Sequence, residues 1–95
     1  MTRKLTTDKI QAQLTRVESW IVPDEDLHKE FRFSSFTEAL GSMVQPVLVA
    51  ESMNHHSQWF NVYNRVVIDL TAYDDGGIND LDFELASRAD DLARY

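Results

Sequence analysis

Glu51, His55 and His56 carry the side chains best suited to chemistry, in the run Glu51-Ser52-Met53-Asn54-His55-His56. Imidazole has an ordinary pKa of about 6.5, so near neutral pH it is available both to take and to give a proton. A carboxylate at i,i+4 lies on the same helical face as His55 if the helix reaches that far. It then orients the ring or raises its pKa. The chemistry implied is general acid–base catalysis. A His-His pair at a helix end also serves as a simple cap or surface feature, so spacing alone leaves both readings open. His28 stands far away on a predicted strand and reads as an exposed residue; its spacing to His55 and His56 supports no metal site.

Several elements must position these groups. Thr6 or Thr7 is placed to cap a first helix, with Leu5 packing back onto it and Ile10, Leu14 and Val17 forming its apolar stripe. Trp20 and Val22 alternate with polar neighbours and lead into the turn cluster Pro23-Asp24-Glu25-Asp26. Lys29, Phe31 and Phe33 then alternate with His28, Glu30 and Arg32, which predicts a hairpin with one buried face. Ser35 with Glu38 is a capping-box signal. The helix it opens carries Phe36, Ala39, Leu40, Met43, Val44, Val47 and Leu48, a broad apolar face suited to burial, and Pro46 is expected to kink or divide it.

A second strand pair is predicted over Trp59 to Tyr63 and Val66 to Ala72, joined at Asn64-Arg65, with Val66, Ile68, Leu70 and Ala72 on one face. Asp74-Asp75-Gly76-Gly77 reads as a turn rather than a phosphate cradle, since no phosphate-loop pattern follows. Asn79 is placed to cap a last helix containing Leu81, Leu85 and Leu92, with Asp82 near its positive end. The expected fold is a single α+β domain over residues 1–95. It has a four-stranded antiparallel sheet with three helices packed on one face, in the order α-β-β-α-β-β-α. The other sheet face, with Trp59, Tyr63 and Val67 near it, is expected to border a binding site or meet another subunit.

Composition narrows the function classes. The 95 residues have a formal net charge of -7, and their nine Lys and Arg are scattered, which argues against a nucleic-acid groove. With no cysteine, disulfides and thiolate metal sites are excluded. No apolar run approaches the ~18 residues of a membrane span, and Met1-Thr2-Arg3-Lys4 is not followed by an apolar h-region. A cytoplasmic location is the expectation.

The stretch from Glu51 through His55-His56 to Trp59-Phe60-Asn61-Val62-Tyr63-Asn64 resembles the pterin-4a-carbinolamine dehydratase family. That family's signature is an acid, three intervening residues, His-His and usually Pro, followed by such a strand. The resemblance runs nearly the full chain, taking in Trp20, Phe31-Arg32-Phe33, Phe36, Ala39, Leu70-Thr71, Asp74, Gly76-Gly77, Asp82 and Leu85-Ala86. It implies a hydro-lyase that dehydrates a 4a-hydroxytetrahydropterin to the quinonoid dihydropterin during tetrahydrobiopterin recycling. The pterin is the substrate, and no cofactor or metal is needed.

By the same resemblance His55 faces the reacting centre, beside His56 and the signature acid Glu51. Asn54 and His56 line the pocket, and Thr71, Ala72, Tyr73 and Asp74 form the opposite wall. Trp59 is a candidate for aromatic contact with the pterin, and Asp82 matches the distal acid or serves only as a helix cap. The family's quaternary structure implies a homodimer or homotetramer. Two positions depart from its pattern. Ser57 replaces the usual Pro, and Tyr73 stands where a third histidine is expected. A phenol of ordinary pKa ~10 donates a hydrogen bond but is a poor base at neutral pH. The alternative implied by Tyr73 is a catalytically impaired dehydratase-like binding, dimerisation or assembly module.

Overall fold

The computed structural model describes residues 4–23, 25–52, 57–71 and 77–93. Three antiparallel strands, β1 (Leu27–Arg32), β2 (Ser57–Val62) and β3 (Arg65–Leu70), form one sheet in the order β1-β3-β2. β3 is central, and its alternation of Val66, Ile68 and Leu70 with half-buried Arg65, Val67 and Asp69 shows which face is covered. The register carries that face outward to Leu27, Lys29 and Phe31 on β1 and to Trp59 on β2. Three helices complete the fold: α1 (Thr7–Leu14), α2 (Phe36–Ser52) and α3 (Asp80–Ala93). α2 and α3 touch each other, and α2 also packs on β2 and β3. Ile10 and Leu14 of α1 and Val17 just beyond it join the same core, which centres on Trp20, Leu27, Phe31, Ile68, Leu70, Phe83 and Leu85.

Among the described residues the predicted four-stranded sheet is corrected to three strands, and the order is α-β-α-β-β-α. Among the described residues the segment around Trp20 and Val22 makes a single bridge, Ile21 with His28, through backbone bonds of 2.9 and 2.7 Å. Its neighbours explain why it stops there. Ser19 turns the chain at φ 62°, and Pro23 has no N–H to continue a ladder. The second hairpin turns one residue earlier than predicted. Val62 pairs with Arg65, so Tyr63 and Asn64 form the two-residue loop, with Tyr63 at φ 52°. Trp59 pairs with Ile68 and therefore lies on the helix-covered face, not the open one; Phe60 and Val62 take the open side.

The caps follow the sequence closely. Thr6 Oγ1 accepts from the Lys9 N–H at 3.3 Å, and Ser35 Oγ from the Glu38 N–H at 3.1 Å. The Glu38 carboxylate reaches back to Ser34 rather than Ser35, accepting from its hydroxyl at 2.7 Å. α2 runs through Pro46 undivided, leaving the Ser42 carbonyl without its usual intrahelical donor. At α3, Asn79 Oδ1 accepts from the N–H groups of Leu81 and Asp82, while Asp82 Oδ2 accepts from the Asn79 N–H at 2.9 Å. Asn79 and Asp82 are both buried, so this reciprocal box is shielded from water. Asn79→Ala is expected to cost about 1–2 kcal/mol, seen as a lower urea midpoint with an unchanged slope.

The broad apolar face of α2 is not buried as a whole. Ala39, Pro46 and Ala50 are buried and Met43 and Val49 half-buried, whereas Phe36, Leu40, Val44, Val47 and Leu48 are exposed. The helix is apolar over a wider arc than one sheet face can cover.

Candidate active site

The sheet register places the residues that flank the two chemistry-bearing segments at one end of the sheet. Asn54, His55 and His56 lie outside the described residues, as do Ala72, Tyr73 and Asp74; the residues that flank both segments lie within them. The first segment leaves α2 at Ser52 and enters β2 at Ser57; the second follows Thr71 at the end of β3. Ser57 is the ladder partner of Leu70, and directly opposed Cα atoms of antiparallel strands stand about 5 Å apart. The His55-His56 segment and the Tyr73 segment therefore depart from adjacent strands at the same end of the sheet.

Glu51 is exposed in the last turn of α2, one residue before the helix ends, where Ser52 Oγ donates to the Val49 carbonyl at 2.7 Å. The described helix thus reaches Ser52, and the predicted i,i+4 relation to His55 falls on residues beyond it. Thr71 is buried beside this sheet end. Asp82 is fully buried and serves the α3 cap, as its sequence position suggested. Trp59 is half-buried among Phe31, Phe33, Met43, Pro46 and Ile68. The cavity these residues line is only about 10 Å³, far too small for a pterin, and the Trp59 ring belongs to the packing between the sheet and α2.

Two ionic features escaped the sequence reading. His28 is half-buried and its Nδ1 lies 2.6 Å from Asp69 Oδ1, its cross-strand partner on the open sheet face. Lys29 points into the core, where its ammonium meets Asp90 at 2.7 Å. Both depend on register and on the docking of α3, which residue types alone do not reveal. Among the described residues no group of three or more His, Cys, Asp or Glu side chains is arranged to hold a metal. No helix among them is long and apolar enough to cross a membrane.

A sequence profile described as Pterin 4 alpha carbinolamine dehydratase matches residues 3–92. A Solibacter usitatus protein, provisionally named pterin-4-alpha-carbinolamine dehydratase, is 50% identical over 93 residues, covering 98% of each chain. A Sinorhizobium fredii protein with the same provisional name is 44% identical over 92 residues, covering 95% of this chain and 88% of its own. A Brucella melitensis crystal structure described as a transcriptional coactivator/pterin dehydratase superposes with TM-score 0.90 at 32% identity, over 96% of this chain and 99% of that one. A pterin dehydratase-like protein described as a RuBisCO assembly factor in the alpha-carboxysome superposes with TM-score 0.66 at 25% identity, over 80% and 90%.

Proposed function

Since the chain belongs to the pterin-4-alpha-carbinolamine dehydratase family, we propose that it dehydrates a 4a-hydroxytetrahydropterin at the sheet end where β2 begins and β3 finishes. The reaction removes a proton from the ring nitrogen beside the carbinol carbon, and that electron pair forms the new C=N bond. The C–O bond breaks, and the hydroxyl leaves as water after taking a proton. His55 is the proton-transfer residue, with His56 and Asn54 lining the pocket and Glu51 orienting or charging the imidazole. Thr71, Ala72, Tyr73 and Asp74 form the facing wall, and Tyr73 donates a hydrogen bond to the departing hydroxyl in place of the third histidine. Asp82 acts by holding the start of α3. Trp59 backs the site through the core packing rather than stacking on the substrate. No cofactor or metal enters the reaction, the protein works in the cytoplasm, and it is a homodimer or homotetramer.

The observation that carries this reading is the Ser57–Leu70 pairing, which gives both segments a common origin. Its test is dehydration of freshly generated 4a-hydroxytetrahydropterin, followed against the spontaneous background for wild type and Tyr73→His. Wild-type turnover well above background, changed little by histidine, is the expected result. A silent wild type overturns the activity. If Tyr73→His then restored turnover, the second reading would take its place: a dehydratase-like module that binds or assembles another protein. Tyr73 and the kinship to an assembly factor favour that second reading. A pull-down from the source organism that recovers no stable partner counts against it.

A further inference from the structure

One flank of α1 borders a cleft of about 370 Å³, a size within the usual range of small-molecule sites. Its floor is apolar, built by Ile10 and Leu14 of α1, Val22 before β1 and Ile78 before α3. Ile78 is buried, but Ile10, Leu14 and Val22 are only half-buried, so side chains packed on the core keep surface open to water here. The rim is polar. Lys4, Thr7 and Gln11 come from α1 and the residues leading into it, and Glu25 from the segment that carries Val22.

We propose that this cleft binds a free α-amino acid with an apolar side chain. The charges at its rim select that class. Lys4 and Glu25 form no ion pair with each other or with any other described residue, so one ammonium and one carboxylate are left for a ligand. Lys4 takes the α-carboxylate and Glu25 the α-ammonium, both as charge-assisted hydrogen bonds. The ligand's side chain then covers the open surface of Ile10, Leu14 and Val22.

Lys4 is held ready for this contact. Its stem lies along Gly77, where an added Cβ would stand 3.1 Å from Lys4 Cε and 3.2 Å from its Cδ and Cγ. A residue with no side chain is what lets these methylenes lie against the backbone. The base of the stem is fixed as well. The Leu5 N–H donates to the Ile78 carbonyl at 2.7 Å, and the Leu5 side chain is buried in the core. A pre-positioned ammonium loses less side-chain freedom when a carboxylate arrives.

Charge disfavours the simpler occupants. An anion without an amine meets Glu25 and the field of a chain with net charge -7. An amine without a carboxylate meets the Lys4 ammonium. A zwitterion answers both groups, and its apolar end suits the floor. A residue inside a peptide lacks the two α-charges and answers neither. Binding here requires nothing of the dehydratase chemistry.

Amide NMR titration of the full chain with L-leucine, isocaproate and isoamylamine tests it, since the two analogues lack the ammonium and the carboxylate respectively. Leucine is expected to bind with a Kd on the order of 1 mM, shifting the amides of Lys4, Gln11, Leu14, Glu25 and Ile78. Each analogue should bind roughly 10-fold more weakly. Lys4→Met keeps the stem without its charge, and it should weaken leucine about 10-fold without weakening isoamylamine. Glu25→Gln should weaken leucine to a similar extent without weakening isocaproate. Both side chains are exposed, so each variant should keep the far-UV circular dichroism and thermal unfolding of the wild type. No saturable shift up to about 20 mM leucine overturns the proposal, as does equal affinity for the three compounds. Leucine binding unaltered in both variants overturns it too. Turnover measured on the same samples reports on the dehydratase chemistry separately.

Discussion

Replacing His55 by alanine is expected to lower turnover of 4a-hydroxytetrahydropterin by roughly 10²–10⁴-fold, the usual contribution of one proton-transfer residue. Dehydration moves two protons, and an imidazole near neutral pH is available in either protonation state. Of the other polar groups assigned to the site only His56 shares that range. Glu51 is a carboxylate exposed at the end of α2, and Asp82 is spent on a helix cap. A phenol such as that of Tyr73 is by its ordinary pKa a poor base at neutral pH. Loss of His55 should therefore fall on kcat more than on KM, because the pocket walls are left in place. It should also flatten the pH dependence of the rate around neutrality. Single-turnover kinetics on freshly generated substrate make the measurement. Unchanged turnover in His55→Ala would remove this residue from the chemistry, and a rise in KM alone would reduce it to a binding contact.

Asp90→Ala is expected to destabilise the fold by about 3–5 kcal/mol, the typical cost of leaving one partner of a buried ion pair uncompensated. Domains of this size are commonly stable by only 5–15 kcal/mol. The Asp90 side chain is 5% exposed and that of Lys29 13%. One carboxylate gathers the Lys29 ammonium at 2.7 Å, the Trp20 indole N–H at 3.0 Å and the Glu18 backbone N–H at 3.1 Å. The ammonium also lies 4.5 Å from the centroid of the Phe31 ring, which supplements but does not replace the carboxylate. The double variant Lys29→Met with Asp90→Leu should recover much of the loss, since apolar replacement of both partners is often neutral. Urea unfolding of the two single variants and the double gives the coupling directly. A loss below about 1 kcal/mol in Asp90→Ala would show that the pair behaves like an exposed one.

Local signals were legible wherever short-range chemistry decides the outcome. The caps at Thr6, Ser35 and Asn79 appear where side-chain oxygens could reach free N–H groups. The alternation of Val66, Ile68 and Leu70 fixed the covered face of β3. The sequence reading failed where the outcome depends on what lies opposite. A strand pattern at Trp20 to Val22 did not reveal that its pairing among the described residues would be a single bridge. The apolar residues of α2 looked equivalent in composition, yet the sheet covers only one arc of them. Trp59 suggested a ligand contact because aromatic residues suit pterins, but its pairing with Ile68 turned it inward. The candidate site was legible only as residue types and order; what the strand register adds is that Ser57, which follows one segment, pairs with Leu70, which precedes the other.

Asp90 also sets when this fold can form during synthesis. Its partners precede it by 72, 70 and 61 residues, and the Leu5 N–H donates to the Ile78 carbonyl across a similar separation. A nascent chain that has reached β3 already holds the hairpin, but its buried-to-be ammonium and indole still lack their acceptor. The last helix must leave the ribosome before the first third of the chain can close its core. Folding dominated by such distant contacts is slow and leaves apolar strands open meanwhile. Stalling anywhere before residue 90 should thus yield a protease-sensitive chain.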